Sequence, residues 1–336
     1  MREDFTFPSA DGRTQIHAVR YVPEAGTETA AGGSAAAGKA KESDTGPKAV
    51  LQLVHGMVEY IDRYDGFAAF MAANGFVVVG HDHLGHGQSV VSEEDLGYFA
   101  KAEHPSDVVI EDMQTLRRLT QERYPGLPYC ILGHSMGSYL LRKYLTRYGE
   151  GLAAAIVMGT GDVDPGTAKA GLFVIRLLKV LRGERFRSTF VQNMTYSKPY
   201  QKFDLTGAVP ENSWLTKDTE IVKRYYADPL CTFVFTLNAY QGLIEATLYD
   251  TDPANIAKIP ADLPILLASG ADDPVGDCSE GVNRVYQKFA KAGLNVQLHL
   301  YENDRHEILN ETDRGLVWHD MLTFLESSTG GKNVYI

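Results

Sequence analysis

The sequence is poor in cysteine. Its three cysteines, Cys130, Cys231 and Cys278, lie far apart in the chain and form no Cys-x-x-Cys pair. A disulfide framework or a structural zinc site would need closely patterned cysteines, so neither is predicted. Such cysteine usage is typical of a reducing compartment.

Long apolar runs and an excess of positive charge are also missing. The sequence contains no run of about 18 apolar residues, so no membrane-spanning helix is predicted. The first residues, MREDFTFPSADGR, lack the apolar segment of a signal peptide. The formal net charge of -11 would repel a phosphate backbone, which argues against a nucleic-acid partner. We expect a cytoplasmic protein that acts on small molecules.

Strand-like and helix-like segments alternate along most of the 336 residues. Apolar strands are predicted from Thr14, Ala49, Phe76, Tyr129, Ala153, Pro264 and Asn295, with helices between the later ones, and this alternation predicts an α/β fold with a parallel sheet. In a helix over 107–124, Val109, Met113, Leu116 and Leu119 are expected on one buried face.

Two segments interrupt the alternation. Residues 24–48 are rich in Ala, Gly, Ser and Thr, and we expect a flexible surface loop there. Residues 162–258 separate two core strands and are interpreted as a helical cap inserted into a core of residues 1–161 and 259–327. Residues 328–336 form a C-terminal tail.

The motif Gly133-His134-Ser135-Met136-Gly137 stands where a predicted strand meets a predicted helix. This is the context of the G-x-S-x-G nucleophile turn of the α/β-hydrolases. A sharp turn holds the serine in a strained conformation, so the residues two before and two after it must be small. Ser135 is therefore the candidate nucleophile.

A serine nucleophile needs a histidine base that is oriented by a carboxylate. In α/β-hydrolases the acid and then the histidine follow the serine in the chain, each after a core strand. His306 fits the base, and Asp272 or Asp273 fits the acid. His299 is expected to face outward from a strand and His319 to lie on a helix. We expect the Ser135 hydroxyl to meet the His306 imidazole.

The transition state of acyl transfer also requires donors for an oxyanion. The backbone N–H of Met136, at the start of the helix after Ser135, is one candidate. The second is expected just after the strand LQLVHG, at Met57.

Several segments together resemble the monoglyceride lipase and lysophospholipase branch of the serine α/β-hydrolases. These segments are VHGMVEYIDRY, HDHLGHGQS, LGHSMG, ADDPVG and LYENDRHE. The resemblance implies an eight-stranded, mostly parallel sheet with a cap between strands 6 and 7. It also implies Asp273 rather than Asp272 as the acid. Glu59 and Arg63 match residues near the glycerol head group in this family, although a Glu-Arg pair that braces the oxyanion loop is an equal alternative.

The cap sequence suggests contact with lipid. Residues 168–188 combine Leu172, Ile175, Leu178 and Val180 with six basic residues and one acid, Glu184. Such a helix can dock on an anionic lipid surface, which would make the protein peripheral at a membrane, or its apolar face can simply roof the active site. Aromatic residues in 224–240 could wall an acyl tunnel or provide ordinary packing. We expect esters of medium or long acyl chains as substrates.

Three other functions fit the sequence less well. His81, His83 and His86 suggest a metal site, but the binuclear pattern H-x-H-x-D-H needs Asp where this chain has Gly85, so no metal and no cofactor are expected. An aminopeptidase of the same fold would need acidic cap residues, against which the basic segment argues. A noncatalytic binding protein would not keep Ser135 with its partners. The sequence leaves the oligomeric state open.

Overall fold

The computed structural model describes residues 1–23, 46–196 and 198–330. Most of the expected loop over 24–48 and the last six residues of the tail lie outside the described residues. The strands are β1 Arg2–Pro8, β2 Gln15–Tyr21, β3 Ala49–Val54, β4 Phe76–His81, β5 Tyr129–His134, β6 Ala154–Met158, β7 Ile265–Gly270 and β8 Val296–Tyr301. The helices are α1 Asp65–Ala73, α2 Pro105–Arg123, α3 Met136–Tyr148, α4 Pro165–Arg182, α5 Thr189–Thr195, α6 Thr219–Ala227, α7 Leu237–Thr251, α8 Pro253–Ile256, α9 Glu280–Lys291 and α10 Arg314–Ser328.

One eight-stranded sheet carries the fold, in the order β1-β2-β4-β3-β5-β6-β7-β8. The strands from β3 to β8 pair in parallel, whereas β2 pairs antiparallel with both β1 and β4. Strand β1 was not singled out in the sequence, because only Phe7 among its residues is buried. The predicted α/β-hydrolase fold with a mostly parallel sheet is confirmed.

Helices cover both faces of the sheet. On β3, Val50 and Val54 pack into one apolar core with residues of α2, α3 and α9, and Leu51 and Leu53 pack into a second core with residues of α1 and α10. A central strand that is buried on both sides must be apolar at nearly every position. This explains why every residue of β3 except Gln52 is apolar.

The expected face of α2 is wrong at one position. Val109, Met113 and Leu116 are fully buried, but Leu119 is 36% exposed. Each step of three residues turns an α-helix by about 300°, so two such steps carry Leu119 away from the core. Thr120, four residues after Leu116, takes the buried position.

The insert, residues 162–258, contains α4 to α8 and lies between β6 and β7 in the chain. On α4, Leu172 and Ile175 are buried, but Val180 is 85% exposed, so the apolar residues of this helix do not share one face. Val180 is five residues beyond Ile175 and points about 140° away from it on the helix. In the described residues no helix is long and apolar enough to cross a membrane.

Candidate active site

Ser135 lies at the turn between β5 and α3 with φ 55° and ψ -121°. A non-glycine residue in this left-handed region is strained, and such strain is concentrated at functional sites. A Cβ atom at Gly137 would clash with the carbonyl oxygens of Val54 and His55, and one at Gly133 would clash with the carbonyl oxygen of Gly137. The predicted steric need for both glycines is confirmed.

The acid and the histidine come together behind the turn. His306 Nδ1 lies 3.0 Å from both carboxylate oxygens of Asp273, and both side chains are buried. The carboxylate is held further by the backbone N–H of Val275, which donates to Oδ1 at 2.8 Å. Asp272 is exposed. The structure thus pairs His306 with Asp273 rather than with its neighbour.

Ser135 and His306 line the same cavity, which has a volume of about 760 Å³. In the described part of the chain the Ser135 hydroxyl has no hydrogen-bond partner, so the expected contact with the His306 imidazole is not formed. Catalytic hydrogen bonds often tighten only when substrate binds. The two side chains face one space in which an ester could reach both.

The two oxyanion candidates, Met57 and Met136, also line this cavity. The chain after β3 passes close to Ser135, since a Cβ atom at Gly56 would lie 3.0 Å from Ser135 Cβ. It then turns through Val58, which has a φ of 57°. This tight turn brings the backbone around Met57 beside the start of α3.

Glu59 holds this turn in place by hydrogen bonds. Its Oε1 accepts hydrogen bonds from the backbone N–H of Gly56 at 2.5 Å and from the Tyr64 hydroxyl at 2.9 Å. Its Oε2 accepts from Arg63 at 2.6 Å. Both oxygens of Glu59 therefore have partners in or near this turn, and the contacts favour the bracing hypothesis over binding of a head group.

His134 links this cluster to His306. Its Nδ1 lies 2.9 Å from the Tyr64 hydroxyl and 3.2 Å from Glu59 Oε1, and its Nε2 lies 3.2 Å from the backbone carbonyl oxygen of His306. Burial opposes charge on the ring, but the hydrogen bond to Glu59 and its charge outweigh burial and raise the pKa of His134. A protonated His134 donates to Glu59 and to the His306 carbonyl at once.

Burial likewise opposes ionisation of the carboxyl groups of Glu59 and Glu307. The hydrogen bond from His134 and the charge of Arg63 nevertheless lower the pKa of Glu59, and Arg63 lowers the pKa of Glu307. Tyr64, His134 and Glu307 were not identified from the sequence as parts of the site. The one signal was that His134 is the variable residue inside the G-x-S-x-G motif.

The remaining histidines lie elsewhere. His299 is exposed on β8 and His319 is exposed on α10, both as expected. His81, His83 and His86 are buried. Burial lowers the pKa of His81 and of His86 to about 4. Within the described ranges no group of three or more side chains is arranged to hold a metal ion.

Residues 45–313 match the family model described as serine aminopeptidase, S33. The monoglyceride lipase of Homo sapiens is 36% identical over 273 residues, which are 79% of this chain and 77% of that protein. The monoacylglycerol lipase of Mycolicibacterium smegmatis is 29% identical over 84% of this chain and 90% of its own length. A thermostable carboxyl esterase from Bacillus coagulans, solved with glycerol, superposes with a TM-score of 0.84 at 27% identity, over 98% of this chain and 99% of the esterase. The predicted resemblance is confirmed: the chain belongs to the serine aminopeptidase S33 family of α/β-hydrolases.

Proposed function

We propose that this chain is a serine hydrolase that cleaves carboxylic esters through an acyl-enzyme on Ser135. The observation that carries the proposal is the shared cavity. A strained serine and a buried His306–Asp273 pair open onto one space of about 760 Å³. The similarity to lipases and to a carboxyl esterase supports an ester as the substrate.

In the proposed mechanism, His306 Nε2 takes the proton of the Ser135 hydroxyl as Oγ attacks the ester carbonyl carbon. Asp273 accepts the hydrogen bond of Nδ1–H and stabilises the imidazolium that forms. The backbone N–H groups of Met57 and Met136 stabilise the oxyanion. The imidazolium then protonates the leaving alcohol, and a water molecule activated by His306 hydrolyses the acyl-enzyme.

Glu59 and Arg63 act in this proposal as a brace for the oxyanion loop. The loop must hold the N–H of Met57 still while charge develops, because preorganised donors stabilise an oxyanion far better than mobile ones. Glu59 fixes Gly56, and Arg63 fixes Glu59. The alternative role that the family resemblance implies, binding of the head group, would compete with these contacts.

The acyl chain of the substrate occupies the side of the cavity formed by the insert. The insert contributes mostly apolar side chains to the wall, among them Ile175, Val191, Phe233, Leu243 and Ile244. We propose that the insert is the cap of the enzyme, above a core of residues 1–161 and 259–327. Each buried methylene is worth about 0.8 kcal/mol, so medium and long acyl chains should bind better than acetate.

A substrate panel tests this proposal. Turnover would be measured on nitrophenyl esters from acetate to palmitate, and on monooleoylglycerol, lysophosphatidylcholine and an aminoacyl naphthylamide, with Ser135→Ala as the control. We expect esters with acyl chains of eight or more carbons to exceed acetate in kcat/KM. Activity that peaks at acetate contradicts the acyl site. Turnover of the naphthylamide without ester turnover favours the aminopeptidase alternative.

The cap carries an exposed apolar stripe that supports contact with a lipid surface. On α4, Phe173 is 70% and Val180 is 85% exposed. The exposed apolar residues of α4 recur at helical spacing, and they are Phe173, Leu177, Val180 and Leu181. The neighbouring α5 adds Phe190 and Met194. Basic side chains on α4, such as Arg176 and Arg182, complement an anionic surface.

We propose that this stripe docks transiently on anionic lipid, which makes the protein peripheral at the membrane. Cosedimentation with phosphatidylcholine vesicles, with and without phosphatidylglycerol, tests it. The double variant Leu177→Ser, Val180→Ser should bind the anionic vesicles at least about tenfold more weakly, because two exposed apolar side chains are lost. Val91→Ser, at a residue 59% exposed outside the insert, is the matched control. Equal binding by the double variant and the native chain would refute the contact.

A further inference from the structure

A tryptophan of the insert lies against the imidazole of His306. The Trp214 ring is stacked on it, with ring centroids 5.0 Å apart and an interplanar angle of 28°. The backbone of the same segment is joined to the His306 loop. His306 N donates to the Trp214 carbonyl oxygen at 3.3 Å, and Glu307 N donates to that of Leu215 at 2.7 Å. The two rings are therefore held in register by the main chain.

Side chains fasten the two segments further. Arg305 donates to the carbonyl oxygens of Glu211 at 3.0 Å and Ser213 at 2.5 Å. Lys217 donates to Asp304 at 2.7 Å. These contacts bracket Trp214 on both sides along the chain, so this part of the insert cannot move without the loop that carries the base.

The indole is also held by aromatic neighbours. Tyr200 packs edge-on against it at 5.4 Å between centroids, and Tyr196 does so at 6.5 Å. Trp214 lines the cavity together with Ser135 and His306. A side chain anchored in this way keeps its ring face toward the imidazole.

The charged groups around His306 determine how far a positive charge on its ring is stabilised. Asp273 is the carboxylate that contacts its ring directly. The ring of His134 lies 4.7 Å from it, and the hydrogen bond to Glu59 and its charge raise the pKa of His134 despite burial. Glu307 is bound by Arg63, which leaves its charge largely neutralised. Protonation of His134 would oppose a positive charge on His306, whereas the electron-rich face of the Trp214 indole attracts that charge.

We propose that Trp214 stabilises the imidazolium form of His306 by a cation–π contact, so that the cap supplies a positioning residue for the catalytic base. The inference rests on the proposed function, in which His306 takes the Ser135 proton. The positive charge exists only after that transfer. Trp214 therefore acts on the transition state more than on bound substrate, and its removal lowers kcat more than it raises KM.

Kinetics of Trp214→Phe and Trp214→Leu test this role. We expect Trp214→Leu to lose about 3- to 30-fold in kcat with KM within twofold, which is the range of a cation–π contact in a desolvated site. Trp214→Phe keeps a weaker π face and should fall between Leu and the native residue. Trp318→Phe, on α10 and outside the main cavity, is the matched control. A change in KM alone would contradict the role, and so would a kcat of Trp214→Phe no higher than that of Trp214→Leu. Trp214 would then only line the cavity.

Fluorescence gives a readout that does not depend on turnover. Trp214 and Trp318 are the two tryptophans of the chain, so Trp318→Phe leaves Trp214 as the sole indole emitter. The His306 imidazole is stacked on this indole and should quench its emission, so adding His306→Gln should raise the emission of Trp214. Emission that His306→Gln leaves unchanged overturns the inference.

The two proposals fail in different ways. If Ser135→Ala keeps full ester turnover, the proposed function is wrong whatever Trp214 does. If Ser135→Ala is inactive but Trp214→Leu keeps its kcat within twofold, the inference about Trp214 alone is wrong. Should Trp214→Leu fail to fold, Trp214→Phe and the emission of native Trp214 still decide the question.

Discussion

The guanidinium of Arg63 forms two parallel hydrogen bonds with the carboxylate of Glu307, at 2.8 and 2.7 Å. Glu307 directly follows His306 in the chain, and Arg63 also donates to Glu59 below the oxyanion loop. One buried cation therefore ties the loop that carries the base to the loop expected to receive the oxyanion. The geometry of the two halves of the site depends on this residue.

Replacing Arg63 should damage both stability and activity. Arg63→Met leaves two buried carboxylates without their cation, and breaking a buried pair in this way costs about 3–5 kcal/mol of unfolding free energy. Arg63→Lys restores the charge without the fork that binds a carboxylate in parallel, so it should lie between Met and the native residue in stability and kcat. Denaturant unfolding and nitrophenyl octanoate kinetics measure the two effects.

Arg224 provides the control for this series, since it is an exposed arginine of the insert. Arg224→Met should unfold within about 0.5 kcal/mol of the native chain and keep its kcat. An Arg63→Met variant that unfolds and turns over like Arg224→Met would show that the brace has no role.

The neighbouring aspartates 272 and 273 offer a matched pair for the acid. Asp273→Asn removes the carboxylate that orients His306, and the loss in kcat should reach about 10⁴-fold, as expected when the wrong tautomer is held. Asp272→Asn changes an exposed side chain and should stay near native activity. Steady-state kinetics on one octanoate ester decide the assignment. Comparable losses in both variants would contradict it.

The sequence predicted the elements of the site that depend on local pattern. The strand, turn and helix around Ser135, and the ends of β7 and β8 where Asp273 and His306 follow, are read from short apolar runs and glycine positions. The parts it did not reveal are contacts between distant segments. His134 with Tyr64 and Trp214 with His306 join residues 70 and 92 positions apart, and no local period marks such pairs.

The wrong expectation about the face of α2 has a physical origin. Leu119 was expected to be buried with its apolar neighbours, but it is exposed. On α4 the apolar residues lie on two opposite faces, one buried and one exposed. Hydrophobicity alone does not distinguish a face that packs on protein from a face left open.

The buried histidines should make the fold sensitive to acid. Burial lowers the pKa of His81 to about 4, whereas the unfolded chain has the usual value of about 6.5. As the pH falls below 6.5, the unfolded state binds a proton at His81 that the folded state does not bind. The free energy of unfolding that is present above pH 6.5 is therefore lost as the pH falls toward 4. For His81 alone the loss between pH 7 and pH 5 is on the order of 2 kcal/mol.

His81→Phe isolates this contribution. The ring of His81 packs edge-on against Phe7, and its two nitrogens have no hydrogen-bond partner among the described residues, so an apolar ring fits the chemistry of the site. Urea unfolding at pH 7 and pH 5 should show a smaller drop for His81→Phe than for the native chain. His299→Phe, at an exposed histidine, should keep the native drop. Equal pH dependence in the native chain and His81→Phe would contradict the linkage.

The central claim is that Ser135 is the nucleophile. Intact-protein and peptide mass measurement after reaction with a fluorophosphonate tests it most directly, since the probe forms a bond only with an activated hydroxyl. We predict one phosphonyl adduct, on Ser135, with loss of ester turnover in proportion to labelling, and no adduct in Ser135→Ala. Labelling at another residue, or full ester turnover by Ser135→Ala, would contradict the account.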